Sequence, residues 1–193
     1  MPSLRSAVFL DRDGVIIENR ADYVKSLAET KFIPGAVEAL AQLAKTDRLI
    51  VIVTNQAVIG RHIITREAVE EINQYVIQNV VAAGGRVDGL YLCPHHPADN
   101  CPCRKPAPGL LLQAAAELGI DLTASVMIGD AVSDVQAALA VRAKPIFVLT
   151  GLAGRLESEL ARARRLNAAI YPDLAAAVRH LLEHDGAGPR PEP

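Results

Sequence analysis

The chain alternates short, nearly unbroken apolar runs with longer stretches in which apolar positions recur every three or four residues. SAVFLD (6–11), LIVIVTN (49–55), VDGLYLC (87–93), SVMIGD (125–130) and PIFVLT (145–150) are the runs. Their length and their richness in Val, Ile and Leu predict strands buried on both faces. Between them, PGAVEALAQLAK (34–45) opens with Pro34, which suits a first helical turn, and repeats apolar side chains at Val37, Leu40, Leu43 and Ala44. Thr65 is placed to cap a second helix with a stripe of Val69, Ile72, Val76 and Val80, which Gly84 and Gly85 end. Further helices are expected over about 108–118, with Gly119 as the stop, over about 132–141, and over 173–184. The mixed-charge stretch 151–170 predicts a solvated surface helix. Strand and helix in alternation predict a parallel sheet covered on both faces, a three-layer α/β fold of Rossmann-like type. No internal repeat or flexible linker divides the chain, so one domain is expected over 1–184, with a disordered tail over 185–193.

Composition narrows the function classes. With 193 residues and 50% hydrophobic content the chain can bury one good-sized core. A formal net charge of −2 leaves no electrostatic footprint for nucleic acid or an anionic membrane, so any cationic site must be local. The N-terminal apolar run is too short for a secretory signal and no stretch approaches a membrane span, which points to a cytoplasmic protein; a monomer is the default expectation.

In open parallel sheets ligands bind outside the carboxyl ends of the strands. The first strand ends in FLDRDG, where Gly14 permits a sharp turn that lets Asp11 and Asp13 converge. Two converging carboxylates repel unless a cation neutralises them or one holds a proton, and Mg²⁺ suits such hard oxygen donors. A solvated Asp-Gly turn is the alternative for this motif alone. The second strand ends in Thr54-Asn55-Gln56, the fourth in GDAVSD with Asp130 and Asp134, and Lys105 follows the third. A hydroxyl, a lysine and several acids at one sheet edge make a phosphate site with a metal.

All three cysteines lie in CPHHPADNCPC (93–103), with two of the five histidines. Cys93, His95, Cys101 and Cys103 form a Cys₃His set with the make-up of a closed structural zinc site, while Pro94, Pro97 and Pro102 stiffen the loop. Free thiols are the alternative; a Cys101–Cys103 disulfide would close a very small, strained ring.

The set DRDG, VTNQ, RKPAPG and IGDAVSD, in that order, resembles the four signature motifs of the haloacid dehalogenase superfamily of phosphatases, over roughly residues 6–151. The resemblance implies two-step phosphoryl transfer through an aspartyl-phosphate. Asp11 would be the nucleophile. Asp13 would protonate the leaving alcohol and later activate water. Thr54 and Lys105 would hold the phosphoryl oxygens, and Asp130 would complete a Mg²⁺ site with Asp11 and the Asp13 backbone carbonyl. Asp134 is left three roles: metal contact through water, orientation of Lys105, or a place on the helix surface. The zinc loop before RKP, with no room for a cap domain between Gly14 and Pro34 or between Gln56 and Thr65, is similar to the branch containing the heptose-1,7-bisphosphate and histidinol-phosphate phosphatases. In that branch His95 rather than His96 would be the ligand. Arg12, Asn55, Gln56 and Arg104, with Asn19 and Tyr23 of the segment ENRADY, would meet substrate; Arg20 and Asp22 of that segment are further candidates. The flanking text favours removal of the 7-phosphate of D-glycero-D-manno-heptose 1,7-bisphosphate; histidinol phosphate is the alternative substrate. Val15 and the pair Ala57-Val58 depart from the heptose pattern. A regulatory module that binds a phosphosugar on the same fold is the competing non-enzyme class, set against a complete set of turnover residues. A nucleic-acid end phosphatase shares the first two motifs but would need a basic stripe.

Overall fold

A computed structural model describes residues 4–184; the expected tail over 185–193 lies outside them. The elements in chain order are β1 (Ala7–Leu10), α1 (Ala36–Leu43), β2 (Leu49–Asn55), α2 (Ala57–Gly60), α3 (Arg66–Ala82), β3 (Gly89–Cys93), α4 (Gly109–Leu118), β4 (Val126–Gly129), α5 (Val132–Ala140), β5 (Lys144–Val148), α6 (Glu157–Arg165), β6 (Ala169–Tyr171) and α7 (Leu174–His184). The six strands form one sheet in the order β3-β2-β1-β4-β5-β6, and every pairing is parallel. The strand order reverses at β1, the central position at which an open sheet of this type leaves a crevice for a ligand.

The strands are apolar on both sides because both sides are covered. Val8 and Leu10 of β1 pack with Leu40, Leu43, Ile72, Val76 and Val178 of α1, α3 and α7. Ala7 and Phe9 turn the other way, onto Leu110, Leu111, Ala114 and Ala138 of α4 and α5. Alternate residues thus face opposite covered sides, so the middles of these runs are apolar without a break. Thr65 caps α3 as its sequence suggests, its hydroxyl accepting from the Ala68 amide at 3.2 Å. Neither connection expected to exclude a cap domain carries one. The first holds a short 3₁₀ turn at Leu27–Glu29 and the second the single turn α2.

Two elements differ from expectation. The stretch 151–170 is not one helix: α6 ends at Arg165, Asn167 takes a left-handed conformation (φ 56°), and Ala169–Tyr171 pairs with β5 as a sixth strand. Three residues are too few to show a strand's period. The turn α2, straight after Gln56, also has no periodic signal in the sequence.

Candidate active site

The carboxyl ends of β1, β2 and β4 lie side by side, so the chain delivers Asp11, Thr54 and Asp130 to one place. The turn after β1 is tight: the Gly14 amide donates to the Ile17 carbonyl at 2.7 Å, and Gly14 has φ 88°. A Cβ there would lie 2.7 Å from Asp130 Cγ, so only glycine allows the turn and Asp130 to meet. Lys105 enters from the loop after β3. Its ammonium lies 2.6 Å from Asp134 Oδ1 and 3.1 Å from Asp11 Oδ1, and donates to the Val53 carbonyl at 2.8 Å. Its side chain is 1% exposed. Burial alone would lower its pKa, but the Asp11 and Asp134 carboxylates outweigh that and raise it, so the amine stays charged. Asp134 is buried and paired with Lys105, which excludes a surface role; it also accepts from the Ala131 amide at 3.1 Å, across the start of α5.

Asp11, Asp130 and Asp134 each offer a carboxylate oxygen, all within 4.8 Å of one another. Burial, then repulsion from Asp11 and Asp134, pushes the Asp130 carboxyl up to about 8. Burial also raises Asp134 to about 6, against the pull of Lys105. Three carboxylates facing one ammonium leave a charge of about −2 when all ionise, which one divalent cation offsets. The donor set therefore fits Mg²⁺.

A pocket of about 240 Å³ opens above these groups, lined by Asp11, Asp13, Asn19, Arg20, Tyr23, Asn55, Gln56 and Asp130 among others. Thr54 and Lys105 are buried and do not line it. Gln56 donates from Nε2 to Asp13 Oδ2 at 2.7 Å and to Thr54 Oγ1 at 2.9 Å. The Asn55 amide grips the Lys105 backbone from both sides: Nδ2 donates to its carbonyl at 3.0 Å, and Oδ1 accepts from its N–H at 3.1 Å. Asn19 donates to Asp130 Oδ2 at 3.3 Å and accepts from the Leu152 amide at 2.9 Å.

Two residues expected to meet substrate do not line this pocket. Arg12 is buried with its guanidinium on Asp13 and Asn73, away from the pocket lining. Arg104 is also absent from that lining, and its Nη1 is buried without a hydrogen-bond partner among the described residues. The guanidinium in the pocket wall is that of Arg20, held by Asp22 at 3.2 Å. Val15, Ala57 and Val58 are core residues and do not line the pocket. Gly151 has no motif to mark it, yet a Cβ there would fall 1.8 Å from Asp130 Oδ2. Thr150 beside it donates to the Gly14 carbonyl at 2.6 Å.

The Cys/His loop closes on itself. Cys93 Sγ lies 3.5 Å from Cys101 Sγ and 3.6 Å from His95 Nδ1; Cys103 Sγ lies 3.4 Å from Cys101 Sγ and 3.2 Å from His95 Nδ1. Zinc bonds to sulfur of ~2.3 Å at tetrahedral angles put sulfur atoms ~3.8 Å apart, so these four atoms need little adjustment to hold the ion. His96 turns away, its Nδ1 accepting from the Ala98 amide at 3.1 Å. The loop is fastened to its neighbours: the Gly60 amide donates to the Pro94 carbonyl at 2.8 Å and the Gly109 amide to the Pro102 carbonyl at 3.1 Å. Among the described residues no helix is long and apolar enough to cross a membrane.

Comparison with known proteins agrees with this geometry. The family model for haloacid dehalogenase-like hydrolases matches residues 1–139, well over half of the chain, and a second HAD-hydrolase-like model matches residues 102–177. The D-glycero-beta-D-manno-heptose-1,7-bisphosphate 7-phosphatase of Pseudomonas aeruginosa is 37% identical, over 93% of this chain and 99% of its own. That of Photorhabdus laumondii is 40% identical, over 91% and 96%. The crystal structure of the D,D-heptose 1,7-bisphosphate phosphatase from B. bronchiseptica, complexed with magnesium and phosphate, superposes with a TM-score of 0.86 at 34% identity, covering 92% of this chain and 98% of that one. The corresponding enzyme from Burkholderia thailandensis gives a TM-score of 0.69 at 28% identity, covering 92% and 99%.

Proposed function

The chain belongs to the haloacid dehalogenase-like hydrolases, and from that premise we propose that it removes the 7-phosphate of D-glycero-D-manno-heptose 1,7-bisphosphate through a phosphorylated Asp11. The observation that carries this reading is the convergence of Asp11, Lys105, Asp134 and Asp130 at one pocket that Asp11, Asp13 and Asp130 line. Asp11 attacks the phosphorus and Asp13 gives a proton to the departing C7 oxygen. Asp13 then takes a proton from the water that attacks the phosphorylated Asp11, and orthophosphate leaves. Both steps are general acid and base chemistry by a carboxylate that faces the pocket. Lys105 holds a phosphoryl oxygen against the charge that would repel Asp11, and the Thr54 hydroxyl donates to another. Asp134 keeps Lys105 aimed at Asp11. Held by Asp11, Asp130 and the Asp13 carbonyl, Mg²⁺ would supply charge neutralisation for the phosphoryl oxygens.

The Cys₃His loop would hold one structural zinc, and its role is positional. With Cys101 and Cys103 fixed, the next two residues, Arg104 and Lys105, have little freedom left to lose. Asn19, Arg20 and Tyr23 line the mouth of the pocket, where the rest of the sugar and its second phosphate would lie. The heptose assignment follows the relatives that match over nearly their whole length. It is tested by measuring kcat/KM for phosphate release from the heptose bisphosphate, histidinol phosphate and common hexose phosphates, with Mg²⁺ present. Preference for the bisphosphate by about tenfold or more supports it. Preference for histidinol phosphate moves the chain to the neighbouring activity, and binding without release would make it a phosphosugar-binding module.

A further inference from the structure

Asn73 lies on α3, outside every motif that marks the site. The residues that helix buries are Val69, Ile72, Asn73, Val76 and Val80, so a single amide sits in an aliphatic stripe. An amide in such a place is costly unless something uses it. Asn73 Oδ1 accepts a hydrogen bond from Arg12 Nη1 at 2.7 Å, while its Nδ2 is buried without a partner among the described residues. Arg12 is itself 1% exposed. It turns its remaining nitrogens on Asp13: Nη2 lies 2.9 Å from Oδ2 and 3.2 Å from Oδ1, and Nε lies 3.2 Å from Oδ2. A rigid helix, an amide, a guanidinium and the pocket-facing carboxylate thus form one chain of contacts.

We propose that Asn73 is a positioning residue for the phosphatase reaction, one that fixes the Arg12 guanidinium and through it the direction of the Asp13 carboxylate. The inference rests on the reading above in which Asp13 gives a proton to the leaving oxygen. A guanidinium is a planar fork, and a carboxylate held side-on takes its orientation from the plane of that fork. With only Nε and Nη2 held, by Asp13, the fork is free to tip on the flexible Arg12 stem. The contact of the third nitrogen, Nη1, with Asn73 of α3 removes that freedom. Gln56 Nε2, at 2.7 Å from Asp13 Oδ2, then closes the carboxylate from the pocket side. An apolar residue at position 73, like the others in the stripe, would take this acceptor away from Arg12 Nη1. Proton transfer is sensitive to displacements of about 1 Å, so loss of the anchor should be read in the chemical step before it is read in binding.

Leaving groups separate this role from a general loosening of the fold. An alkyl oxygen such as that of a sugar phosphate needs a proton to depart, whereas p-nitrophenolate leaves without one. The experiment measures kcat/KM on both substrates for the full-length wild type, Asn73→Leu, Asn73→Ala, Asn73→Asp and Asp13→Asn, alongside thermal unfolding. In Asn73→Leu, or in Asn73→Ala if the leucine variant does not fold, kcat/KM for the sugar phosphate should fall about tenfold, while p-nitrophenyl phosphate changes by about twofold or less. KM should change little, and Asn73→Asp, which keeps the acceptor, should recover most of the loss. Equal losses on both substrates, or no loss on either, would overturn the proposal while leaving the phosphatase reading intact. A wild type that hydrolyses neither substrate would overturn both, and the Asp13→Asn control identifies the proton-donor step as the point of failure if it shows no preference between leaving groups.

Discussion

Lys105→Met keeps most of the side chain's length and removes its charge, and the structure fixes what should follow. Asp134, 1% exposed, then loses the ammonium 2.6 Å away and keeps only the Ala131 amide at 3.1 Å. Breaking a buried ion pair by deleting one partner costs about 3–5 kcal/mol, because the other charge stays buried. In a chain of this size each kcal/mol lowers the unfolding midpoint by about 2–4 °C, which predicts a fall of about 6–20 °C. The fall should be larger in EDTA, where Asp11, Asp130 and Asp134 face one another with no cation between them. Asp134→Asn removes the stranded charge and keeps an acceptor for the Ala131 amide. The double variant should therefore recover most of the lost midpoint and remain inactive, since nothing then meets the phosphoryl oxygens. The assay is thermal unfolding by circular dichroism, with and without Mg²⁺, paired with phosphate release. A midpoint for Lys105→Met within about 1 °C of wild type, or a double variant whose loss is the sum of the two single losses, would refute the pairing as the support of the site.

The remaining expectations concern the glycine beside Asp130, the metals and pH. Gly151→Ala puts a methyl group where Asp130 Oδ2 now lies, at 1.8 Å. The carboxylate must move by more than about 1 Å, and titration calorimetry should show Mg²⁺ affinity reduced about a hundredfold with the fold retained. Asp130 binds its proton up to about pH 8 in the folded, metal-free chain but only below the ordinary value of 3.8 when unfolded. The folded state thus holds more protons between those limits, so metal-free stability should fall as pH rises from about 4 to 8, and Mg²⁺ should flatten that slope; unfolding midpoints across pH in EDTA and in Mg²⁺ check it. Elemental analysis should find about one zinc per chain, and Cys101→Ser should lose it, with KM rising before kcat falls.

How much of this was legible in the sequence depended on the range of the interaction. Strand ends were readable because buried parallel strands are unbroken apolar runs, and the first polar residue after each run marks the sheet edge. Asp11, Thr54 and Asp130 were located that way, and Lys105 and the zinc loop by spacing along the chain. Asp134, four residues after Asp130 and third in α5, could be named but not assigned until the fold placed it on Lys105. Side-chain direction was not legible. Arg12 adjoins Asp11 in sequence, yet its buried guanidinium meets Asn73 and Asp13 and does not line the pocket. Arg104, one residue before Lys105, likewise misses the lining, while Asn19, Arg20 and Tyr23, which the segment ENRADY offered as candidates, reach it. Gly151 and Asn73 carry only tertiary information: one makes room for a carboxylate from another strand, the other reaches across 61 residues to Arg12. The strand β6 was hidden because three residues show no periodicity and its helix partner runs almost into it.

The most direct test is phosphate release from D-glycero-D-manno-heptose 1,7-bisphosphate by the wild type and by Asp11→Asn, with Mg²⁺ present and the position of the remaining phosphate read by ³¹P NMR. The wild type should release one phosphate, from C7, and the variant should be slower by about 10⁴-fold or more while still folding and binding substrate. Release by the variant at a rate near that of the wild type, or no release by either, would contradict an Asp11-centred phosphatase.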